Sequence, residues 1–360
     1  MSPLHTRICD LFGVRYPIVQ TAMGYVSGPR LVSATAKAGA LGIIAGATLR
    51  FDELQAAIRK VQQRTDAPFG VNIRADAPDA RDRVELVIKA GVRVASFALA
   101  PKPELIGRLK DAGVVVVPSV GARRHAEKVA AWGADAVVVQ GGEGGGHTGS
   151  VPTSLLLPQI VDAVDIPVIA AGGYFDGRGL VAALAYGASG IAMGTRFLLT
   201  SDSPVSDEVK KLYLAATVTD TVWTDALDGV PQRLLRTPFT DGLAASGRVR
   251  RLVRGARNAR TFQRVSGTRW RDMVREGLAM RRAHGLRLEQ VLLAANTPAM
   301  LHAAMVEGRT DLGVMATGQV AGVIDDLPSV AELVERIMAQ ATAVVAVLSG
   351  PTEGGTHAGV

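Results

Sequence analysis

Eight short apolar runs, each followed by an amphipathic stretch and a Gly- or Pro-marked return, leave this chain few ways to fold. The runs are PIVQTA (17–22), ALGIIAG (40–46), PFGVNI (68–73), RVASFAL (93–99), VVVVPSV (114–120), AVVVQG (136–141), PVIAAGG (167–173) and SGIAMGT (189–195). Their length and β-branched content read as strands. Between them, stretches such as GPRLVSATAKAG, FDELQAAIRKVQQRT and DGRGLVAALAYGA repeat apolar residues every three or four positions and read as helices. Strands that are apolar along their whole length, rather than alternating, are buried on both faces, as in a parallel sheet covered by helices. Eight such units predict an α/β fold of the (β/α)8 TIM-barrel type, with an open doubly wound sheet as the alternative.

After the eighth strand the pattern changes. Residues 200–309 read as a helical, arginine-rich insertion capping the barrel, so the barrel takes residues 1–199 and 310–360. Thirteen arginines fall between Arg248 and Arg287 against only Asp272 and Glu276, and this local excess outweighs the net +7 of the whole chain. Arg251, Arg254, Arg257, Arg260 and Arg264 recur every three or four residues, which puts them on one face of a helix. A solvated face is the plain reading of such a run. Nucleic-acid binding is disfavoured because Phe262 and Trp270 are the only aromatic residues in the segment.

Composition excludes other classes. One cysteine, Cys9, forbids an internal disulfide and a cysteine-rich zinc site, and points to a reducing, cytoplasmic setting. The start, MSPLHTRICDLFG, has no apolar signal core, and no apolar run reaches the length of a membrane span. No metal, membrane or nucleic-acid partner is expected; a homodimer is left open.

In a parallel barrel, chemistry sits on the loops that follow the strands. The glycine-rich and polar signals fall there: Thr21 to Gly24, Asn72, QGGEGGGHTG (140–149), GGYFDG and MGTRF. Backbone N–H groups without side chains in the way can point at an anion, so Gly172, Gly173, Gly194 and Thr195 read together as a phosphate cradle; either loop alone would pass as an ordinary turn. Gly144, Gly146 and Gly149 match G-x-G-x-x-G, but Pro152 and a polar stretch intervene before the next helix, which rules out a dinucleotide fingerprint. Histidine exchanges protons near neutrality, and glycines let other molecules approach it closely, so His147 is the candidate acid/base group. A loop histidine bonded to a carbonyl is the bland alternative. Glu143 reads as a solvated carboxylate.

VVVQGGEGGGHTG, PVIAAGGYFDG, GASGIAMGTRF and the late TGQVAG together resemble the FMN-dependent barrel family of nitronate monooxygenases and flavin-type enoyl-acyl-carrier-protein reductases. PIVQTAMG and GVNI match its opening and third strand. The resemblance implies FMN across the top of the barrel. Ala22, Met23, Asn72, Gln140 and Gly145 would line ring and ribityl chain, Gly173, Gly194 and Thr195 would hold the phosphate, and His147 would stand near the flavin as an acid/base or substrate-orienting group.

PRLVSATAKAGALGI, PFGVNIRAD, RVASFALAPK, GTRFLLTSDS and AANTP are most similar to the actinobacterial flavoproteins of steroid ring C/D degradation, which act on coenzyme A esters. That likeness implies oxidoreduction at a CH–CH bond of an acyl-CoA, with NAD(P)H as redox partner. The basic stripe suits the phosphates of a CoA thioester, with Arg251, Arg254 and Arg257 as substrate-binding candidates. A nitronate is small and needs no such stripe, yet a nitronate monooxygenase using oxygen is the alternative, and a non-catalytic barrel that holds a nucleotide or acyl-CoA is a third reading.

Overall fold

A computed structural model of the chain describes residues 3–227, 229–244 and 297–350. The arginine-rich segment, with Arg251, Arg254 and Arg257, lies outside the described residues.

All eight predicted strands form, and they close into one parallel barrel. They are β1 (Ile18–Gln20), β2 (Leu41–Ile44), β3 (Phe69–Ile73), β4 (Val94–Phe97), β5 (Val115–Val120), β6 (Val137–Gln140), β8 (Val168–Ala171) and β9 (Gly190–Met193), with β7 (Gly146–His147) standing outside the barrel. Closure is made by β9 on β1, where Ile191 pairs with Ile18 and Met193 with Gln20. Helices follow the strands in the expected alternation: α2 (Pro29–Lys37), α3 (Phe51–Gln62), α4 (Ala80–Lys89), α5 (Pro103–Asp111), α6 (Arg123–Ala131), α7 (Thr153–Val161), α8 (Gly177–Ala185) and the single turn α9 (Thr195–Leu198), after a short α1 (Arg7–Phe12).

Side chains alternate across each strand, which sorts the core into an inside and an outside. Val19, Ile43, Val117, Val138 and Ile169 pack together in the barrel interior. Ile8 and Phe12 of α1 join the same cluster beside Leu41, Val94 and Val115, the starts of their strands, and so stopper the lower end. Ile44, Val71 and Ala95 turn outward against Leu54, Ile58 and Val84 of the surrounding helices. Each fully buried aliphatic side chain here contributes about 1.5–3 kcal/mol from burial, so the closed lower end and packed interior leave the upper loops as the place where function can vary.

The expectation of helices over 200–300 requires a correction. α10 (Asp207–Leu214), α11 (Pro238–Ala244) and α12 (Thr297–Met305) are helical, but β10 (Thr221–Thr224) and β11 (Gln232–Leu235) are an antiparallel pair. The physical reason is local: TVWT is β-branched and aromatic, and the sequence between it and QRLL carries Asp-Gly, a turn signal that suits a hairpin rather than a helix. The chain then returns to the barrel, and α13 (Val330–Ser349) packs along α8, so closely that a Cβ on Gly177 would stand 2.5 Å from Ala341 N.

Candidate active site

The glycine-rich loop after β6 is neither loose nor a helix start. Its centre is β7, which pairs antiparallel with β11: Gly146 opposite Arg233, His147 opposite Gln232. Thr148 N donates to Pro231 O at 3.1 Å, which continues the contact. This explains why the G-x-G-x-x-G pattern makes no dinucleotide turn, since its middle glycine, Gly146, is in a strand paired to β11 and no helix starts between it and Thr153.

Several groups tie the loop down from different sides. Gln140 Nε2 donates to Gly145 O (3.2 Å) and His147 O (3.0 Å), so its amide hydrogens hold the loop. The Arg233 guanidinium donates to Gly142 O at 2.8 Å. Burial pushes the Arg233 pKa down, and the negative charge of Glu143 partly offsets this. Glu143 is no solvated carboxylate: it accepts from Thr153 N at 2.9 Å and from Thr153 Oγ1 at 2.7 Å, at the first turn of α7. Its main-chain oxygen accepts from Gln319 N at 3.0 Å. With these ties in place, His147 stands on a fixed backbone with its side chain exposed.

The late TGQVAG segment closes over the same loop. A Cβ on Gly145 would meet Thr317 C at 2.5 Å and Gly318 N at 2.6 Å, so the two backbones touch face to face. Gly318 N donates to Thr195 Oγ1 at 3.0 Å, which leaves the hydroxyl's own proton for an acceptor.

The residues expected from sequence to cradle a phosphate lie beside this loop. Gly172 and Gly173 have φ of 93° and 89°, the left-handed region that glycine holds without strain. Gly172 abuts Gly141 O, Gly144 N and Thr153 Oγ1, whereas Gly173 has only the Glu143 side chain within 4 Å of where a Cβ would stand. At the end of β9, a Cβ on Gly194 would lie 3.2 Å from Thr21 Oγ1 and 3.5 Å from Met23 Sδ. The loops after β1, β6, β8 and β9 are thus brought together with the late segment. Ala22 and Met23 are half-buried at this end, and Asn72 is buried at the end of β3 with Nδ2 3.4 Å from Ser96 O. Open backbone at Gly173, the glycine main chain at Gly194 and the spare hydroxyl proton of Thr195 are a donor set that fits a phosphate monoester.

Arg233, Gln232 and Thr153 meet this loop without having been singled out by any motif, and Glu143, read from sequence as a solvated carboxylate, is bonded to Thr153. The β-branched, aromatic TVWT followed by Asp-Gly was the available signal for the first two; the pairing of Thr153 with Glu143 left none, because nine residues separate them.

No group of three or more His, Cys, Asp or Glu side chains suited to a metal occurs among the described residues, and no described helix is long and apolar enough to cross a membrane.

Residues 5–340 match the family model described as nitronate monooxygenase. A protein of Mycobacterium tuberculosis named (3aS,4S,5R,7aS)-5-hydroxy-7a-methyl-1-oxo-octahydro-1H-indene-4-carboxyl-CoA dehydrogenase is 62% identical over 94% of this chain and 96% of its own length. A protein of the same name from Rhodococcus jostii is 58% identical over 95% of this chain and 97% of its own. Among solved structures, FabK from Thermotoga maritima superposes with a TM-score of 0.79 at 35% identity, covering 96% of this chain and 98% of the other.

Proposed function

The chain belongs to the nitronate monooxygenase family of flavin-dependent oxidoreductases, and from that premise we propose that it is an FMN enzyme that oxidises a CH–CH bond of an indane-carboxyl-CoA ester, with NAD(P) as the partner that exchanges electrons with the flavin. The observation that carries this reading is the match, over nearly the whole chain, to two proteins named as dehydrogenases of such an ester.

FMN supplies a two-electron acceptor and donor when bound. Gly172, Gly173, Gly194 and Thr195 would hold its phosphate through backbone N–H groups and one hydroxyl, and Ala22, Met23, Asn72, Gln140 and Gly145 would line its ring and ribityl chain. His147 takes or returns the proton at the α-carbon of the acyl group, which the thioester carbonyl acidifies. The backbone ties through Gln140, Arg233 and Glu143 hold that imidazole in one place, which is the positional part of catalysis. Arg251, Arg254 and Arg257 would meet the CoA phosphates, for which guanidinium groups are suited.

Anaerobic mixing tests the reading. Flavin absorbance bleached by the CoA ester or by NAD(P)H supports the dehydrogenase; bleaching only by an alkyl nitronate supports a monooxygenase; purification without flavin supports a non-catalytic barrel.

A further inference from the structure

We propose that Gln232 is a substrate-positioning residue whose side-chain amide donates a hydrogen bond to the thioester carbonyl of the acyl-CoA beside His147. The assignment rests on the CoA-ester reading above.

Three observations meet at this residue. Gln232 is directly opposite His147 in the antiparallel β11–β7 ladder. Directly opposed residues project to the same face with Cβ atoms about 5 Å apart, so the two side chains leave the ladder side by side. Gln232 is 3% exposed, and its Nε2 is a buried donor with no hydrogen-bond partner among the described residues. Two residues on, the same face carries Leu234, which packs with Leu227, Leu243, Met300 and Val314. In the ladder, Gln232 thus lies between Leu234 of an apolar cluster and the cross-strand neighbour His147, whose side chain is exposed.

A buried donor without a partner is a cost to folding that an apolar residue of the same size would remove. Leucine and methionine are of similar size and bring no amide to satisfy. An amide kept in such a place is accounted for by an acceptor that arrives with the ligand. The carbonyl oxygen is the acceptor one bond from the α-carbon, and a donor there stabilises the negative charge that develops as the α-proton leaves. One ladder pair would thus address both the proton and the oxygen of a single acyl group.

The test uses FMN-loaded protein with its flavin reduced by dithionite, so that the saturated ester cannot pass on electrons. Binding of the indane-4-carboxyl-CoA ester is compared with binding of its thioether, in which CH2 replaces the carbonyl, in wild type, Gln232→Met and Gln232→Leu. Wild type should bind the ester about tenfold more tightly than the thioether, and both variants should lose that preference while their flavin-free forms melt at or above the wild-type temperature. A preference retained in the variants, no preference in wild type, or a lower melting temperature in both variants would overturn the assignment. Wild type that binds neither compound would remove the CoA-ester reading itself.

Discussion

Glu143 caps α7 through Thr153, accepting from the Thr153 amide at 2.9 Å and its hydroxyl at 2.7 Å, and so closes a ten-residue loop on itself with His147 in the middle. A carboxylate at a helix N-terminus satisfies an otherwise unpaired N–H and meets the positive end of the helix dipole. Glu143→Ala is expected to cost about 1–2 kcal/mol of stability and to lower turnover by loosening the imidazole. Glu143→Gln keeps an acceptor for Thr153 N and should cost less than half as much. Chemical denaturation and anaerobic flavin-reduction rates of both variants check this; equal effects would show that charge and not capping matters.

His147→Ala removes the imidazole and leaves the backbone pairing with Gln232, since β7 is held by main-chain groups. FMN should remain bound at wild-type stoichiometry while turnover falls by about a hundredfold or more, the scale of a lost acid/base group. Flavin content by absorbance and steady-state rates separate the two effects, and unchanged turnover would exclude His147 from the chemistry.

Gly145→Ala tests the contact between the loop and the late segment. The added methyl would stand 2.5 Å from Thr317 C and 2.6 Å from Gly318 N, both backbone atoms that cannot rotate away. Overpacking of this kind costs about 1–3 kcal/mol. Separation of the two backbones should weaken FMN retention, read as loss of flavin on gel filtration, whereas Gly149→Ala, which has open space around it, should retain it.

The barrel was legible because each of its units is specified locally: strand, loop and helix signals for β6 and α7, for example, all fall within 26 residues from Ala136 to Val161. The glycine-rich loops at the strand ends were legible for the same reason, and the structure brings the loops after β6, β8 and β9 together. What escaped was set by distance. Gly318 reaches Thr195, and Arg233 reaches Gly142, across 123 and 91 residues of sequence, and no periodicity encodes such a pairing. The hairpin was hidden differently, because four-residue strands between helices give alternation too short to outweigh a helical neighbourhood.

The arginine-rich segment makes its own prediction from charge alone. Arg254 and Arg257 changed together to Ala should weaken a CoA ester more than its pantetheine-truncated analogue, because only the former carries the 3′-phosphate and pyrophosphate. Raising salt should shrink the difference in wild type. Competition binding of the two compounds checks it, and equal losses for both would remove the phosphate contact.

Asp326 supplies the pH-dependent part of the site's support. Its carboxylate meets Arg336 at 2.6 Å and Arg196 at 2.8 Å, and Arg196, only 3% exposed, directly follows Thr195 of the cradle. The hydrogen bond from Arg336 first, then that from Arg196, holds the Asp326 carboxyl below the usual carboxylate range against the opposing effect of burial. A depressed folded-state pKa means stability that is complete above the unfolded value of about 3.9 and is lost as pH falls through the folded value. Asp326→Asn leaves Arg196 buried without its counter-charge. The expected loss near neutrality is about 2 kcal/mol, below the 3–5 typical of a fully buried pair because Asp326 is one-third exposed. Urea denaturation near pH 7 and roughly pH 3 should show the gap between wild type and variant narrowing in acid. Because the clamp positions Arg196, FMN affinity should fall in the variant at neutral pH; a gap that is constant with pH would mean that packing, and not the ion pair, holds the cradle in place.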